Sequence, residues 1–149
     1  MIDGRIQILL VEDNAADVRL LREAMRDVKT PSDLRVASDG EQALAMLQRG
    51  AELPDQARAD LVLLDLKLPR KGGLELLGDI RADENLRLTP VIVLTTSTSQ
   101  SDVERAYGLG ANCYIVKPVD FEHFRQVVAA LDQFWFVCAR LPTHRVAKR

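Results

Sequence analysis

The chain has 149 residues, a length typical of one domain with a substantial core. Its formal net charge is -2, with acidic and basic residues mixed along most of the chain, which argues against a nucleic-acid-binding face. No apolar run approaches the ~18 residues of a membrane helix, and the N-terminus lacks the charge pattern of a signal peptide, so we expect a cytoplasmic protein. Because cytosolic chains seldom keep disulfides, Cys113 and Cys138 are expected to be core or interface thiols.

Five apolar runs of strand length follow one another along the sequence, each succeeded by a segment with helical periodicity. Continuous apolar runs of this kind are typical of strands buried on both faces of a parallel sheet. The predicted strands cover residues 5–12, 33–38, 59–66, 90–96 and 112–118. Asn14 is a favourable N-cap for the first helix, whose apolar stripe comprises Val18, Leu21, Met25 and Val28. Further helices are expected at 40–49, at about 73–82 and 99–109, and from about Asp120 to Arg140.

The resulting order, (βα)5, predicts an α/β fold. Right-handed crossovers between successive strands give a doubly wound parallel sheet with helices on both faces. Residues 1–140 are expected to form a single domain with an extended C-terminal helix, and an extended loop is expected at 49–60. Residues 141–149 are expected to form a basic tail, either a solvated end or a binding arm, and no effector domain is expected.

Polar residues that can carry chemistry stand at the carboxyl ends of the predicted strands. Glu12 and Asp13 end the first, Asp65 ends the third, Thr95 ends the fourth, and Lys117 ends the fifth. In an open α/β sheet ligands bind at this edge, so three carboxylates, a hydroxyl and an amine are expected in one crevice. Closely packed carboxylates need a cation, and oxygen ligands of this kind favour Mg²⁺. The hydroxyl and the amine suit an incoming anion.

Each of these residues also has an ordinary structural explanation. Glu12 and Asp13 could be an acidic helix start, and Asp65 could belong to a turn. Thr95 could cap the next helix, Lys117 could be a solvated strand end, and the following Pro118 an ordinary strand breaker. The joint placement of all of them at one sheet edge favours the functional interpretation.

Four stretches in this order resemble the response-regulator receiver family of two-component signalling. They are "LLVEDN", "DLVLLDLKLPRKGG", "PVIVLTTS" and "ANCYIVKPVD", and the resemblance covers about residues 5 to 130. It implies a flavodoxin-like sheet with strand order 2-1-3-4-5. It also implies that Asp65 is a phosphoacceptor, which takes a phosphoryl group from a histidine kinase phosphohistidine. Asp13, Asp65 and the backbone carbonyl of Lys67 would hold Mg²⁺, with Glu12 acting through water.

The same resemblance assigns roles to the residues around the acceptor. Lys117 would neutralise phosphoryl oxygens, Thr95 would swing to hydrogen-bond one of them, and Tyr114 would be the aromatic switch residue. Pro69 would stiffen the loop after the acceptor, and Gly73 would let it turn. The chain departs from the commonest pattern at Lys67 and at Thr96, which line the route by which water would attack the acyl phosphate. The lifetime of the phosphorylated state is therefore left open.

Other protein classes agree less well with the sequence. An aspartyl-phosphate phosphatase needs a second aspartate two residues after the nucleophile, where this chain has Lys67. A dinucleotide-binding enzyme would show a glycine-rich turn after the first strand, and "VEDNAAD" has none. A phosphorylation-independent interaction module of receiver fold remains the alternative. His123 is expected to be a packing or surface residue rather than a phosphodonor.

The run "FWFVC" near the C-terminus is the remaining feature. Helical spacing predicts that Phe121, Phe124, Val128, Leu131 and Trp135 face the sheet, which leaves Phe134, Phe136 and Val137 as candidates for a homodimer interface. The alternative is that this apolar surface is covered within the same domain. The last helix, the loop at 49–60 and "NCYIVKPVD" are similar to stand-alone receivers that serve phytochrome-type histidine kinases. That resemblance implies a red-light-sensing kinase as the partner. The mixed charge and the short apolar runs lead us to expect no nucleic acid or membrane partner.

Overall fold

The computed structural model describes residues 4–52 and 58–142, and within them a five-stranded sheet flanked by helices. The basic tail from residue 143 and residues 53–57 of the predicted loop lie outside the described ranges, while residues 49–52 continue the second helix. The strands are β1 (Ile6–Val11), β2 (Ser32–Ala37), β3 (Leu61–Leu64), β4 (Val91–Thr95) and β5 (Cys113–Val116). The helices are α1 (Ala15–Met25), α2 (Gly40–Glu52), α3 (Gly73–Ala82), α4 (Gln100–Gly108), α5 (Phe121–Leu131) and a π-helix (Asp132–Cys138).

All four strand pairings in the sheet are parallel, and the strand order is β2-β1-β3-β4-β5. The flavodoxin-like, doubly wound fold expected from the sequence is therefore confirmed. Since parallel strands point the same way, the residues that follow β1, β3, β4 and β5 meet at one edge of the sheet. From β1 the sheet is extended to one side by β2 and to the other side by β3, β4 and β5, so the winding reverses between β1 and β3, and this places the crevice at that point.

Two apolar cores lie on opposite faces of the sheet and explain the continuous apolar runs. From β1, Leu9 and Val11 belong to the core beneath α2, α3 and α4, whereas Ile6, Ile8 and Leu10 belong to the core beneath α1 and α5. Successive strand residues point to opposite faces, so a strand covered on both sides must be apolar at every position. The central strands β1, β3 and β4 are buried throughout.

The beginning of α1 confirms the predicted cap. The side-chain oxygen of Asn14 accepts hydrogen bonds from the backbone N–H groups of Ala16, at 2.9 Å, and Asp17, at 3.1 Å. Two of the four N–H groups that lack partners at a helix start are thereby satisfied. This fixes the first turn of α1 immediately after the acidic pair.

The C-terminal helix differs from the prediction because its last two turns are π-helical. In a π-helix hydrogen bonds join residues five apart, so Leu131 and Phe136 lie on the same face, and both are buried in the core beneath α1 and α5. Phe136, which the 3.6-residue period placed among the interface candidates, is only 7% exposed, and that assignment is wrong. Phe134 and Val137 remain exposed, and Trp135 packs partly against the core. Phe121 also lies at the surface rather than against the sheet.

Within residues 4–52 and 58–142, no helix combines the length and the apolar character that crossing a membrane requires. Both cysteines are free thiols. Cys113 is half-buried on β5, and Cys138 is exposed at the end of the π-helix.

Gly73 begins α3 at a position where the helix touches the loop after β3. A Cβ added there would lie 2.4 Å from the carbonyl oxygen of Asp65 and 2.6 Å from Cα of Leu66. These are backbone atoms, so the clash cannot be relieved by a side-chain rotation. Close approach, rather than a special φ angle, is therefore what requires glycine here.

We predict that Gly73→Ala lowers the free energy of unfolding by about 1–3 kcal/mol, because overpacking forces the Asp65 loop or α3 to shift. The matched control is Gly78→Ala in the same helix, where an added Cβ would meet nothing closer than Leu109 Cδ2 at 3.8 Å. That variant should gain roughly 0.5–1 kcal/mol, since glycine is unfavourable in a helix interior. Urea denaturation measures both, and equal stabilities of the two variants would contradict this packing account.

Candidate functional site

The polar residues predicted to converge do so at the carboxyl edge of the sheet. Asp65 directly follows β3, and its backbone N–H donates to the carbonyl of Val11 at 3.0 Å, which holds it beside the end of β1. Lys117 follows β5, and its backbone N–H donates to the carbonyl of Thr95 at 2.7 Å. Backbone pairing beyond the strand ends thus sets the positions of the acceptor aspartate and the lysine.

The Lys117 ammonium makes three ion pairs with carboxylates. Its Nζ contacts Glu12 Oε1, Asp17 Oδ2 at 2.8 Å and Asp65 Oδ2 at 3.0 Å. The Lys117 side chain is only 6% exposed, so these contacts replace most of its water. The partners raise the pKa of Lys117 above its ordinary range, against the effect of burial, and the ammonium stays charged.

Asp65 lies between groups that favour its ionised form. Burial acts to raise its pKa, but hydrogen bonds from Lys117 and from the Thr95 side chain keep the pKa below the ordinary value. The backbone N–H of Lys67 donates to Asp65 Oδ1 at 3.3 Å and acts in the same direction. Asp65 is therefore an ionised carboxylate that can act as a nucleophile or as a metal ligand.

Glu12 behaves differently from Asp65 although it shares the same lysine. Burial, reinforced by the negative charge of Asp65 and opposed by the hydrogen bond from Lys117, raises the pKa of Glu12 to about 7. Its second oxygen accepts from the backbone N–H of Asn14 at 3.2 Å. Burial therefore favours the protonated form of Glu12, against the effect of Lys117.

Three of the carboxylates are placed to share a cation. One oxygen each of Glu12, Asp13 and Asp65 lies within 4.8 Å of the other two. Asp13 is exposed, whereas Glu12 and Asp65 are buried, so the cluster is open to solvent on one side. A set of carboxylate oxygens with excess negative charge fits a hard divalent cation such as Mg²⁺. The predicted metal ligands Asp13, Asp65 and Glu12 are thus brought together.

A hydrogen-bonded chain leads from the site to β5. The Thr95 side chain is fully buried, and its Oγ1 accepts from the backbone N–H of Ser97 at 3.4 Å. The carbonyl of Ser97 in turn accepts from the Tyr114 hydroxyl at 3.0 Å, and the half-buried Tyr114 ring packs against the core. The Ser97 hydroxyl donates to Asp102 on α4 at 2.6 Å. Ser97 therefore connects Thr95 to Tyr114. The sequence identified Thr95 and Tyr114 as site residues but did not identify Ser97.

Ion pairs of Arg70 and Lys71 hold the loop between β3 and α3. Arg70 has a positive φ of 65°, and its guanidinium contacts Asp39 at 3.4 Å. Lys71 forms ion pairs with Asp79 and Glu75 of α3. Pro69 is exposed in the same loop, and Pro118, after Lys117, is half-buried. Lys67 and Thr96, where the chain departs from the common pattern, are both exposed.

Asp17 belongs to the site, although the sequence did not identify it as a site residue. It lies on the first turn of α1, and the turn brings its carboxylate to Lys117. The available signal was an acid one helical turn after the acidic pair. His123, by contrast, pairs with Asp120 at the exposed start of α5, which agrees with the expected surface role.

The family model for the response regulator receiver domain matches residues 8–129 of the chain. The chain belongs to the response regulator receiver family. Receiver domains are signalling proteins that partner with histidine kinases and bind Mg²⁺ or Mn²⁺ in an acidic pocket. The described residues of this chain include an acidic cluster, formed by Glu12, Asp13 and Asp65.

Relatives include response regulators of phytochromes. The chain is 39% identical over 135 residues to response regulator Rcp1 of Synechocystis sp., covering 91% of this chain and 92% of that protein. It is similar, with a TM-score of 0.86 and 40% identity, to a structure of the phosphorylated cyanobacterial phytochrome response regulator RcpA, over 93% of this chain and 99% of that one. A Mn²⁺-bound structure of Rcp1 matches with a TM-score of 0.84 and 38% identity over the same shares.

We predict that the metal-free protein loses stability as pH rises from about 4.5 to about 7. The folded state keeps the Glu12 proton across this window, because its pKa is raised from 4.5 to about 7, whereas the unfolded state releases it. The free energy of unfolding should fall by on the order of 2 kcal/mol. The lowered pKa of Asp65 has the opposite sign, but it acts at lower pH.

Urea denaturation in EDTA at several pH values measures this dependence. Glu12→Gln, which cannot ionise, should flatten the profile, and saturating Mg²⁺ should flatten it in the wild type. Parallel profiles for the wild type and Glu12→Gln would show that Glu12 is not the group responsible.

Proposed function

We propose that this receiver is a single-domain response regulator that accepts a phosphoryl group on Asp65 in a Mg²⁺-dependent phosphorelay. The observation that carries the proposal is the ionised Asp65 carboxylate in direct contact with the buried Lys117 ammonium at the sheet edge. A carboxylate oxygen of Asp65 would attack the phosphorus of a kinase phosphohistidine. The N–P bond breaks, the imidazole leaves, and an acyl phosphate forms.

The residues of the site would act on the charge that this transfer brings. Lys117 would bind phosphoryl oxygens, and the Thr95 hydroxyl would turn from its present partners to donate to one of them. Asp13, Asp65 and the Lys67 carbonyl would hold Mg²⁺ with Glu12 acting through water, and the ion would supply further positive charge. The chain's own catalysis would be limited to this transfer and to slow loss of the phosphoryl group.

A change at Thr95 would be transmitted along the chain described above. Because Ser97 donates to Thr95 and accepts from Tyr114, movement of the threonine removes one support of the loop that Tyr114 binds. The phosphoryl group adds about one or two negative charges at Asp65, which biases such a two-state element. The output surface would then be β5 and its flanking helices.

We predict that Mg²⁺ with acetyl phosphate adds one phosphoryl mass to the wild-type protein. Asp65→Asn should abolish the addition, since the amide is not a nucleophile of this kind. The matched control Asp27→Asn, an exposed acid in the turn after α1, should be modified like the wild type. Intact-protein mass spectrometry measures all three. An unmodified wild type would favour the phosphorylation-independent interaction module instead.

We also propose that the donor is a phytochrome-type histidine kinase acting in the cytoplasm. The support is the likeness to Rcp1 and to the phytochrome response regulator RcpA. Free Cys113 and Cys138 fit a reducing compartment. The same mass readout, with a red-light-sensing kinase and an unrelated kinase as donors, tests the partner class. Equal transfer rates from the two kinases would contradict it.

The proposed homodimer uses the exposed part of the π-helix. Phe134 and Val137 are each 57% exposed. An apolar groove lined by Cys113, Ile115 and Trp135 among others lies next to Phe134. Burying one large apolar side chain contributes roughly 1.5–3 kcal/mol of free energy to association. In a two-fold symmetric dimer this residue is buried in both copies, so the contribution is counted twice. Two copies packed through this surface would therefore offset much of the cost of association.

We predict that Phe134→Ser shifts the wild-type dimer towards monomer by at least about tenfold in Kd, because both copies lose an apolar contact. The control is Tyr107→Ser on α4, which removes a similarly exposed aromatic side chain from another surface. Sedimentation equilibrium, with and without Mg²⁺ and beryllium fluoride, measures the association. A monomeric wild type in both states would remove the dimer proposal.

A further inference from the structure

Asp17 is an unassigned member of the site, and its contact with Lys117 joins α1 to β5. The two residues are 100 positions apart in sequence, and Lys117 Nζ lies 2.8 Å from Asp17 Oδ2. The three-carboxylate cluster that can share a cation consists of Glu12, Asp13 and Asp65 and does not include Asp17. The interaction that Asp17 makes in the site is therefore its ion pair with Lys117.

The hydrogen-bonding capacity of Lys117 is full in this structure. An ammonium group has three N–H donors, and Glu12, Asp17 and Asp65 accept from Nζ. A phosphoryl group on Asp65 would bring new anionic oxygens to the same nitrogen. Lys117 must then give up or share one of its present partners.

Phosphorylation turns the Asp65 carboxylate into an uncharged acyl group, so the carboxylates that still compete with phosphoryl oxygens for Lys117 are those of Glu12 and Asp17. Their exposure indicates which one is released: the Glu12 side chain is 3% exposed, whereas that of Asp17 is 27% exposed. A buried carboxylate that loses its counterion has no solvent to replace the interaction, and this is costly. Asp17 can exchange the ammonium for water at much lower cost.

We propose that Asp17 is a positioning residue that occupies Lys117 in the unphosphorylated state and is displaced by a phosphoryl oxygen. This rests on the proposed phosphoacceptor function of Asp65. Asp17 competes with the phosphoryl group for the same ammonium, so it lowers the affinity of the acceptor site for that group. Its release also frees the first turn of α1 from β5, which links phosphorylation to a second surface.

A purely local role for Asp17 in α1 makes a different prediction. An acid in the first turn favours the helix through its dipole, and Asn14 already caps the Asp17 N–H. Loss of such a role would weaken the helix and would leave the binding of a phosphoryl mimic unchanged or weaker. The direction of the change in affinity therefore separates the two roles.

The test is a titration of beryllium fluoride, a phosphoryl mimic, at saturating Mg²⁺ by isothermal titration calorimetry. Asp17→Asn should bind the mimic about fivefold more tightly than the wild type, as expected for removal of one partly exposed competing ion pair. Asp17→Glu, which keeps the charge, should stay within about twofold of the wild type. Glu23→Gln, which removes an exposed acid from the same helix, should have no effect.

The titration is repeated at about 0.5 M salt, where long-range interactions between exposed charges are screened. A gain that persists for Asp17→Asn supports direct competition at the buried Lys117. Unchanged or weaker binding by Asp17→Asn would overturn the proposal, and so would a gain shared by Glu23→Gln or lost in salt. A wild type that binds no mimic would instead refute the phosphoacceptor function itself, so the two failures are distinguishable.

Discussion

The ion pairs of Lys117 with carboxylates from two strand ends and a helix are the interaction on which the site depends. One buried ammonium faces Glu12, Asp17 and Asp65, and Asp13 adds a fourth negative charge at the edge. The parallel sheet makes this possible, because it brings residues from distant parts of the chain to a single edge. Burial, reinforced by the charge of Asp65, raises the pKa of Glu12, and the negative charge that the lysine does not balance suits a divalent cation.

The same arrangement makes the site sensitive to added charge. Asp65 contacts Lys117 on one side and the Thr95 hydroxyl on the other, and each of these leads to a different element. Through Thr95 and Ser97 the path reaches Tyr114 on β5, and through Lys117 it reaches α1 at Asp17. Neither path requires a large movement. Each consists of a few hydrogen bonds whose partners can be exchanged when a phosphoryl group arrives.

Much of the fold and of the site follows from sequence because the signals are local and redundant. Apolar runs at each strand, the Asn14 cap and the polar residues at strand ends each indicate one element, and together they indicate one sheet edge. Phe136 and Asp17 were not recovered, for physical reasons. A 3.6-residue period cannot anticipate a π-helix that turns Phe136 inward five residues after Leu131. The contact of Asp17 depends on where the fold places the first turn of α1 relative to Lys117, which periodicity does not encode.

A crystal structure of the protein with Mg²⁺ and beryllium fluoride tests the central claim most directly. The account predicts a beryllium fluoride group on an oxygen of Asp65, with Lys117 Nζ within hydrogen-bonding distance of a fluoride and Asp17 no longer in contact with that nitrogen. An unmodified Asp65 at saturating concentrations, with Lys117 still paired to the three carboxylates, would contradict it.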